Sequence, residues 1–299
     1  MPNCHIYPEF SQRLIAITPK LYANEPIDVE PCNTVYALES TAIDLCLSAF
    51  PWATFRSTTT AATPNTLLDL RGNILSFLNI SDGTFHDVNI LEHLPPEAGA
   101  FYIIDRDYVE YERLPPFAQA GAFFETRAKR SMHFKRLGWH KTDHSAAVIS
   151  DHTIALTFFY SKQGCPNPLH RGRFEDPDTG KNPVFVTNHL SLKALRVCQL
   201  HTIRWQVELF FKSIKQHPRI DAFFGTSVNA VMSQIWIGVR TNVLVTIARK
   251  QLKLDASMHE ILRILSVTLF ESTLPDHLLT LSTDGPNNPG DANQLSVFQ

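Results

Sequence analysis

Residues 195–216 read Leu-Arg-Val-Cys-Gln-Leu-His-Thr-Ile-Arg-Trp-Gln-Val-Glu-Leu-Phe-Phe-Lys-Ser-Ile-Lys-Gln. No Gly or Pro interrupts them. Leu200, Ile203, Val207, Phe210, Phe211 and Ile214 recur at helical spacing, so the stretch predicts one amphipathic helix. Pro218 stands just beyond and stops it. Arg204, Glu208, Lys212 and Lys215 fall within roughly 80° of one another around that helix, with His201 on the same arc. Glu208 is the only acid between Thr179 and Ile220, and Lys181, Lys193, Arg196, Arg204, Lys212, Lys215 and Arg219 surround it. Two readings stay open. The carboxylate could hold a metal while the cations hold a polyanion. Equally, this could be a solvated face with ordinary i,i+4 pairs, each worth about 0.2–0.5 kcal/mol.

Upstream of this helix the pattern is α/β. Residues 10–23 suit a short amphipathic helix ending near Pro19. Tyr36–Leu47 is apolar and strand-like, with Glu39 in its middle. Residues 57–65 are small and polar and read as a loop. Thr66–Leu70, the turn Arg71–Asn73 and Ile74–Ile80 read as a hairpin. Asp87–Leu94 suits a short helix. Ala100–Asp105 is a buried strand ending on an acid, and Val109–Gly121 is helical in part. Short β-like runs follow at 122–127, 146–150, 153–160, 171–174 and 183–187. Helical stretches at 194–216, 227–253 and 257–270 close the order. An acid thus falls on the first strand, on the end of a later strand and on a final helix.

Length and composition permit a sizeable core. The chain has 299 residues, 44% of them hydrophobic, and a net charge of −2. That balance argues weakly against a nucleic-acid binder, whose domain is usually basic. The charge is uneven, however. Arg127, Lys129, Arg130, Lys135, Arg136 and Lys141 form a second basic run, which is either a DNA-backbone contact or a solvated loop. Five cysteines with no Cys-x-x-Cys pair fit a reducing cytosol. No signal peptide and no apolar run of spanning length are evident, so a soluble, cytoplasmic protein is expected. Phosphate loops of the Gly-x4-Gly-Lys type and Gly-x-Ser-x-Gly elbows are absent. Trp205 and Trp236 read as core residues rather than base-stacking ones.

The string His201-x2-Arg204-x3-Glu208-x6-Lys215 resembles the Tyr-x2-Arg-x3-Glu-x6-Lys signature of a group of bacterial insertion-sequence DDE transposases. Phe224–Trp236, Ile43–Ala53, Leu67–Ile74 and Ile104–Tyr108 are similar to further blocks of that group, in the same order. The resemblance runs from about His5 to about Leu281. It implies a ribonuclease H-like α/β core with an antiparallel β insertion before the last catalytic helix. Residues 1–34 would be a helical remnant, 35–121 the first part of the core and 122–192 the insertion. Residues 193–281 would complete the core, and 282–299 would be a disordered tail.

The resemblance also implies catalytic, metal-binding acids at Glu39, Asp105 and Glu208, holding two Mg²⁺ ions, with Mn²⁺ able to substitute. It implies DNA partners, namely the inverted-repeat ends and target DNA, and a homodimer on paired ends. Arg204, Lys212, Lys215 and His201 would grip DNA beside the cut, and Arg127, Lys129 and Arg130 would bind it from the insertion. Several positions depart from the pattern. The first acid of the group is Asp, and here it is Glu39, whose extra methylene carries the carboxylate roughly 1.5 Å further out. His201 replaces Tyr, Asp107 replaces Gly, and Pro218 replaces Leu. The group also has a helical domain ahead of this region. The expectation is therefore a truncated, divergent transposase impaired by Glu39, or a catalytically inactive DNA-binding remnant.

Overall fold

In β1 (Val35–Ser40) the first four residues are all buried. Such an unbroken apolar run marks a strand covered on both faces. The computed structural model describes residues 6–22, 34–41, 43–45, 60–82, 87–142, 147–176, 179–216 and 223–268. Before β1 comes α1 (Ile6–Leu21), which continues two residues past Pro19. After it come β2 (Ile43–Leu45), β3 (Thr60–Asp69), β4 (Ile74–Asp82) and β5 (Phe101–Ile104). The chain continues through α2 (Pro115–Gln119), β6 (Phe123–Arg127), β7 (Phe134–Trp139), β8 (Val148–Leu156) and α3 (Phe159–Gly164). It ends with β9 (Leu169–Phe174), β10 (Val184–Thr187), α4 (Ala194–Ile203), α5 (Trp205–Gln216), α6 (Val228–Gln251) and α7 (Met258–Thr268).

One sheet of ten strands runs β2-β3-β1-β5-β6-β10-β9-β8-β7, with β4 on β3. Its heart has β3 antiparallel to both β1 and β4, while β5 is parallel to β1 and β6 is parallel to β5. Setting β2 aside, the order is third–second–first–fourth–fifth in the chain, the arrangement of a ribonuclease H-like core. β7 to β10 continue the same sheet beyond β6, and all of their pairings are antiparallel.

Several segments differ from their sequence reading. Thr60–Asn65, read as loop, extends β3, because Thr60–Ala62 find a partner in β2 and Ala62–Asn65 one in β4. Pro64 is tolerated where the pairing with β1 has just ended at Ser40–Asn65. The hairpin turn holds because Asn73 adopts φ 55° and Arg71 clasps the fully buried Asp69 through its backbone N–H and its guanidinium. The 122–127 run is parallel to β5 on one side and antiparallel to β10 on the other, so it joins the core to the antiparallel strands. The runs at 146–150 and 153–160 merge into β8, and β7 lies within the basic run Arg127–Lys141. The 194–216 helix is split at Arg204. The tail from 282 lies outside the described residues.

Two apolar layers cover the sheet. Val35, Ala37, Phe101, Ile103 and Phe185 meet Val197, Leu200, Val207, Phe210, Val231 and Ile235 from α4, α5 and α6. On the other face Tyr36, Leu38, Tyr102, Ile104 and Phe124 meet Tyr108, Leu114 and Phe117. α6 is long and apolar enough to cross a membrane by length and composition, which corrects the reading that no such run exists. Here 56% of its apolar window is buried inside the protein, against α1, β4 and α5.

Candidate active site

Strand alternation decides which side chains face the helices. Val35 and Ala37 belong to the helix-covered layer, so Glu39 follows them to that face. Phe101 and Ile103 do the same on β5, so Asp105 emerges on that face just past the strand end. Asp105 also caps the 3₁₀ turn Arg106–Tyr108, its Oδ1 accepting the Asp107 N–H at 3.0 Å. Asp107 turns outward, 3.8 Å from Arg106, rather than into the site.

Glu208 comes from the first turn of α5. The break before it is a 3₁₀-like step: Arg204 N–H bonds to His201 O and Val207 N–H to Arg204 O. No Gly or Pro causes it. α4 packs on β6, β8, β9 and β10, whereas α5 packs on α6, so the two halves follow different supports. Arg204 sits at that junction and reaches all three acids. Its Nη1 is ion-paired with Glu39 Oε2 and lies 3.6 Å from Asp105 Oδ2, while Nη2 lies 3.9 Å from Glu208 Oε1. The Glu39 and Arg204 side chains are each 16% exposed, Asp105 26% and Glu208 56%, so the cluster opens toward solvent on the Glu208 side. Burial pushes the Arg204 guanidinium below its ordinary value, with Glu208 opposing. Glu39 Oε2 is buried and has no hydrogen bond of good geometry. Among the described residues no three His, Cys, Asp or Glu side chains stand together as a ready metal cage. The guanidinium occupies the middle.

His201 lies one helical turn before Arg204. Its Nδ1 is 3.2 Å from Glu125 Oε1 and 3.3 Å from Glu125 Oε2, and its ring lies 4.3 Å from that of Phe185. Glu125, on β6 beside Ile103, is completely buried. Burial pushes its carboxyl above the usual range, with His201 opposing. For His201 burial favours the neutral ring. The Glu125 carboxylate, aided by Asp105, outweighs that and holds the imidazole above its usual value.

The remaining residues scatter. Arg127 is exposed at the end of β6 and lines a cavity of about 610 Å³ with Lys181, Phe185 and His201. Lys129 lines a different cavity, of about 370 Å³, with Glu110 and Glu112, away from the three acids. Arg130 and Lys212 are exposed, and no ion pair joins either to the acids among the described residues. The Lys215 side chain lies outside the described residues. Trp236 is buried as expected, but Trp205 is 59% exposed.

A family model for the transposase DDE domain matches residues 56–241, more than half of the chain. The chain belongs to the DDE-domain transposase family. Asp105, Arg204 and Glu208 fall inside the matched span of this transposase-family chain, and Glu39 precedes it. The chain is 33% identical over 177 residues to the putative transposase y4zB of Sinorhizobium fredii, which covers 58% of the chain and 49% of that relative. It is 26% identical over 209 residues to the probable transposase for insertion sequence element IS5377 of Geobacillus stearothermophilus, covering 69% and 54%. The chain thus spans about half the length of these curated relatives. Among solved structures it is similar to the piggyBac transposase in a synaptic complex with hairpin DNA, at 10% identity and a TM-score of 0.45, covering 87% of the chain and 59% of that one.

The sequence reading missed Glu125. It lay inside an apolar run and looked like an ordinary strand residue. The one available signal was its position two residues before Arg127 on a strand otherwise reading Phe-Phe-x-Thr, where a buried charge needs a partner.

Proposed function

We propose that this transposase-family chain carries the site for metal-dependent phosphodiester cleavage and strand transfer at the ends of an insertion sequence. The observation that carries the reading is the convergence of Glu39, Asp105 and Glu208 on one guanidinium. Three acids repel one another, and the single charge of Arg204 balances only one of them. Their meeting is explained if a doubly charged ion takes the guanidinium's place.

The donor chemistry fits such an ion. Carboxylate oxygens are the hard donors that Mg²⁺ and Mn²⁺ prefer, and the buried Oε2 of Glu39 has the Arg204 guanidinium as its counter-charge, the place a cation would take. Glu39, Asp105 and Glu208 would hold the ions, two per site. When bound, these would lower the pKa of the attacking water and stabilise the leaving oxygen. Arg204, freed from the acids, would swing onto a phosphate, and its planar fork suits two phosphate oxygens at once. Lys212, Lys215 and His201 would line the same groove, with Arg127, Lys129 and Arg130 along the sheet beyond. Water adds to phosphorus and the bond to the 3′-oxygen breaks, leaving a 3′-hydroxyl and a 5′-phosphate. That hydroxyl then attacks a target phosphodiester, and one P–O bond forms as another breaks. Transposon ends and target DNA are the partners, and a homodimer would pair two ends. The division at residues 34, 121, 192 and 281 belongs to the same reading.

A second reading is a DNA-binding remnant that cannot cut. One observation favours it: Glu39 and Arg204 already neutralise each other inside the pocket. Incubation with terminal-repeat DNA and Mg²⁺ or Mn²⁺ decides between the two. Nicking by wild type and none by Glu208→Ala supports the enzyme. If the chain binds DNA and neither wild type nor Glu39→Asp cuts it, the enzyme reading fails.

A further inference from the structure

A second cluster lies on the sheet face opposite α4 and α5. Register fixes its side. Val186, Leu169, Ile154 and Leu156 point into the apolar layer away from those helices. Arg171 stands beside Val186 on one side and His152 on the other. Arg136 stands beside Ile154, and Trp139 beside His152. Arg173, two residues from Arg171, shares its face. Three strands therefore present three arginines, a histidine and a tryptophan together.

Asp151 is the acid that His152 feels, and it is paired with His170 rather than with an arginine. None of Arg136, Arg171 and Arg173 is ion-paired among the described residues. Arg171 lies over the Phe134 ring, 4.9 Å from its centroid, and its buried Nε has no hydrogen-bond partner. The buried Nδ1 of His152 has none either. Burial, then Arg173 and Arg136, push Arg171 below its ordinary value, and burial with Arg136 and Arg171 does the same to His152. Arg136 and Arg173 are exposed, but Arg171 is half-buried beside them, and a half-buried charge among like charges is costly unless an anion joins it. Beside them Trp139 is 77% exposed, a large apolar ring left in water.

We propose that this face is a platform for single-stranded DNA, its phosphates held by Arg136, Arg171 and Arg173 and one of its bases stacked on Trp139. The proposal rests on the DNA-processing reading above and adds a second contact surface, away from the three acids. Cations beside an exposed aromatic suit an unpaired strand, whose bases offer a free π-face. A duplex hides those faces in its stack.

Fluorescence anisotropy with a labelled oligothymidine and with a duplex of equal length tests it. Trp139→Ala and Arg171→Ala should each weaken oligothymidine binding roughly tenfold. Trp139→Ala should leave duplex binding within about twofold. Oligothymidine should quench tryptophan emission in wild type, and the quench should shrink in Trp139→Phe. Trp139 is exposed, so that variant should keep the wild-type melting temperature. Three outcomes would overturn the platform: oligothymidine that does not bind wild type, unchanged affinity in both alanine variants, or inorganic phosphate displacing the strand at equal concentration. The nuclease assay is read separately. A chain that binds oligothymidine through Trp139 but never cuts sinks only the cleavage reading. One that cuts but binds no oligothymidine there sinks only the platform.

Discussion

Arg204, at the junction of α4 and α5, is ion-paired with Glu39 at the end of β1. The pair joins the two halves of the chain at the C-terminal end of β1, an interior strand between β3 and β5. It also determines what the pocket holds, because Asp105 and Glu208 share the same guanidinium. On the proposed reading, a divalent cation would take the place that the guanidinium fills among these acids.

Removing Arg204 should therefore expose a dependence on metal. Arg204→Ala leaves Glu39 and Asp105 with no positive partner and should cost about 3 kcal/mol in chelator. Millimolar Mg²⁺ should restore most of that loss, because an ion that binds only the folded state stabilises it. Thermal melts with and without Mg²⁺ measure both. A melting temperature in Arg204→Ala that ignores Mg²⁺ would mean the acids do not form a cation site.

Shortening the first acid should raise activity. Glu39→Asp draws the carboxylate back by roughly 1.5 Å, and misplacement on that scale can cost about a hundredfold in rate. It also lengthens the contact with Arg204 and frees the guanidinium for phosphate. The expected result is faster cleavage of end-repeat DNA by Glu39→Asp than by wild type, with DNA affinity no weaker. Slower cleavage would show that this chain has readjusted around glutamate.

The sheet's heart and the facing of Glu39 and Asp105 were legible because they follow from local rules. Buried runs such as Phe101–Ile104 mark covered strands, and side-chain alternation sends Glu39 and Asp105 to one face. What was not legible depended on tertiary support. The break at Arg204 has no Gly or Pro to announce it and arises because α4 and α5 lean on different partners. Thr60–Asn65 looks like a loop until β4 is there to pair with it. Glu125 is invisible as a site residue until His201 is brought over it by the fold. The filling of the pocket by Arg204 was equally hidden, since helical spacing allowed a pair with Glu208 but gave no sign of the reach to Glu39.

The hairpin beside β1 should be sensitive to its buried acid. Asp69 is completely buried and held by Arg71, with Tyr36 close enough for its hydroxyl to feel the charge. Asp69→Ala leaves Arg71 without its partner and removes the turn's side-chain bond to the Arg71 N–H. The expected loss is about 3–5 kcal/mol, the range for breaking a buried pair. Urea unfolding followed by tryptophan fluorescence should show it as a lower midpoint at unchanged slope. A loss below about 1 kcal/mol would mean that the turn is held by its backbone alone.

The Glu125–His201 pair should make stability fall as pH rises. His201 titrates above its ordinary 6.5 in the folded chain, so its contribution is complete below that value. It is lost as pH climbs through the folded-state pKa. Glu125 titrates above its ordinary 4.5 because of burial, so the folded chain keeps a proton that the unfolded chain releases. Both shifts have the same sign: folding takes up protons, and stability declines from about pH 5 upward, past neutrality. The two groups share a contact and titrate together, so the decline belongs to the pair. Glu125→Gln removes the buried charge and the reason for the raised imidazole at once. Its melting temperature should vary less between pH 5 and pH 8.5 than that of wild type. If Glu125→Gln keeps the full wild-type slope, the pH dependence arises elsewhere and the pair is not a shared proton site.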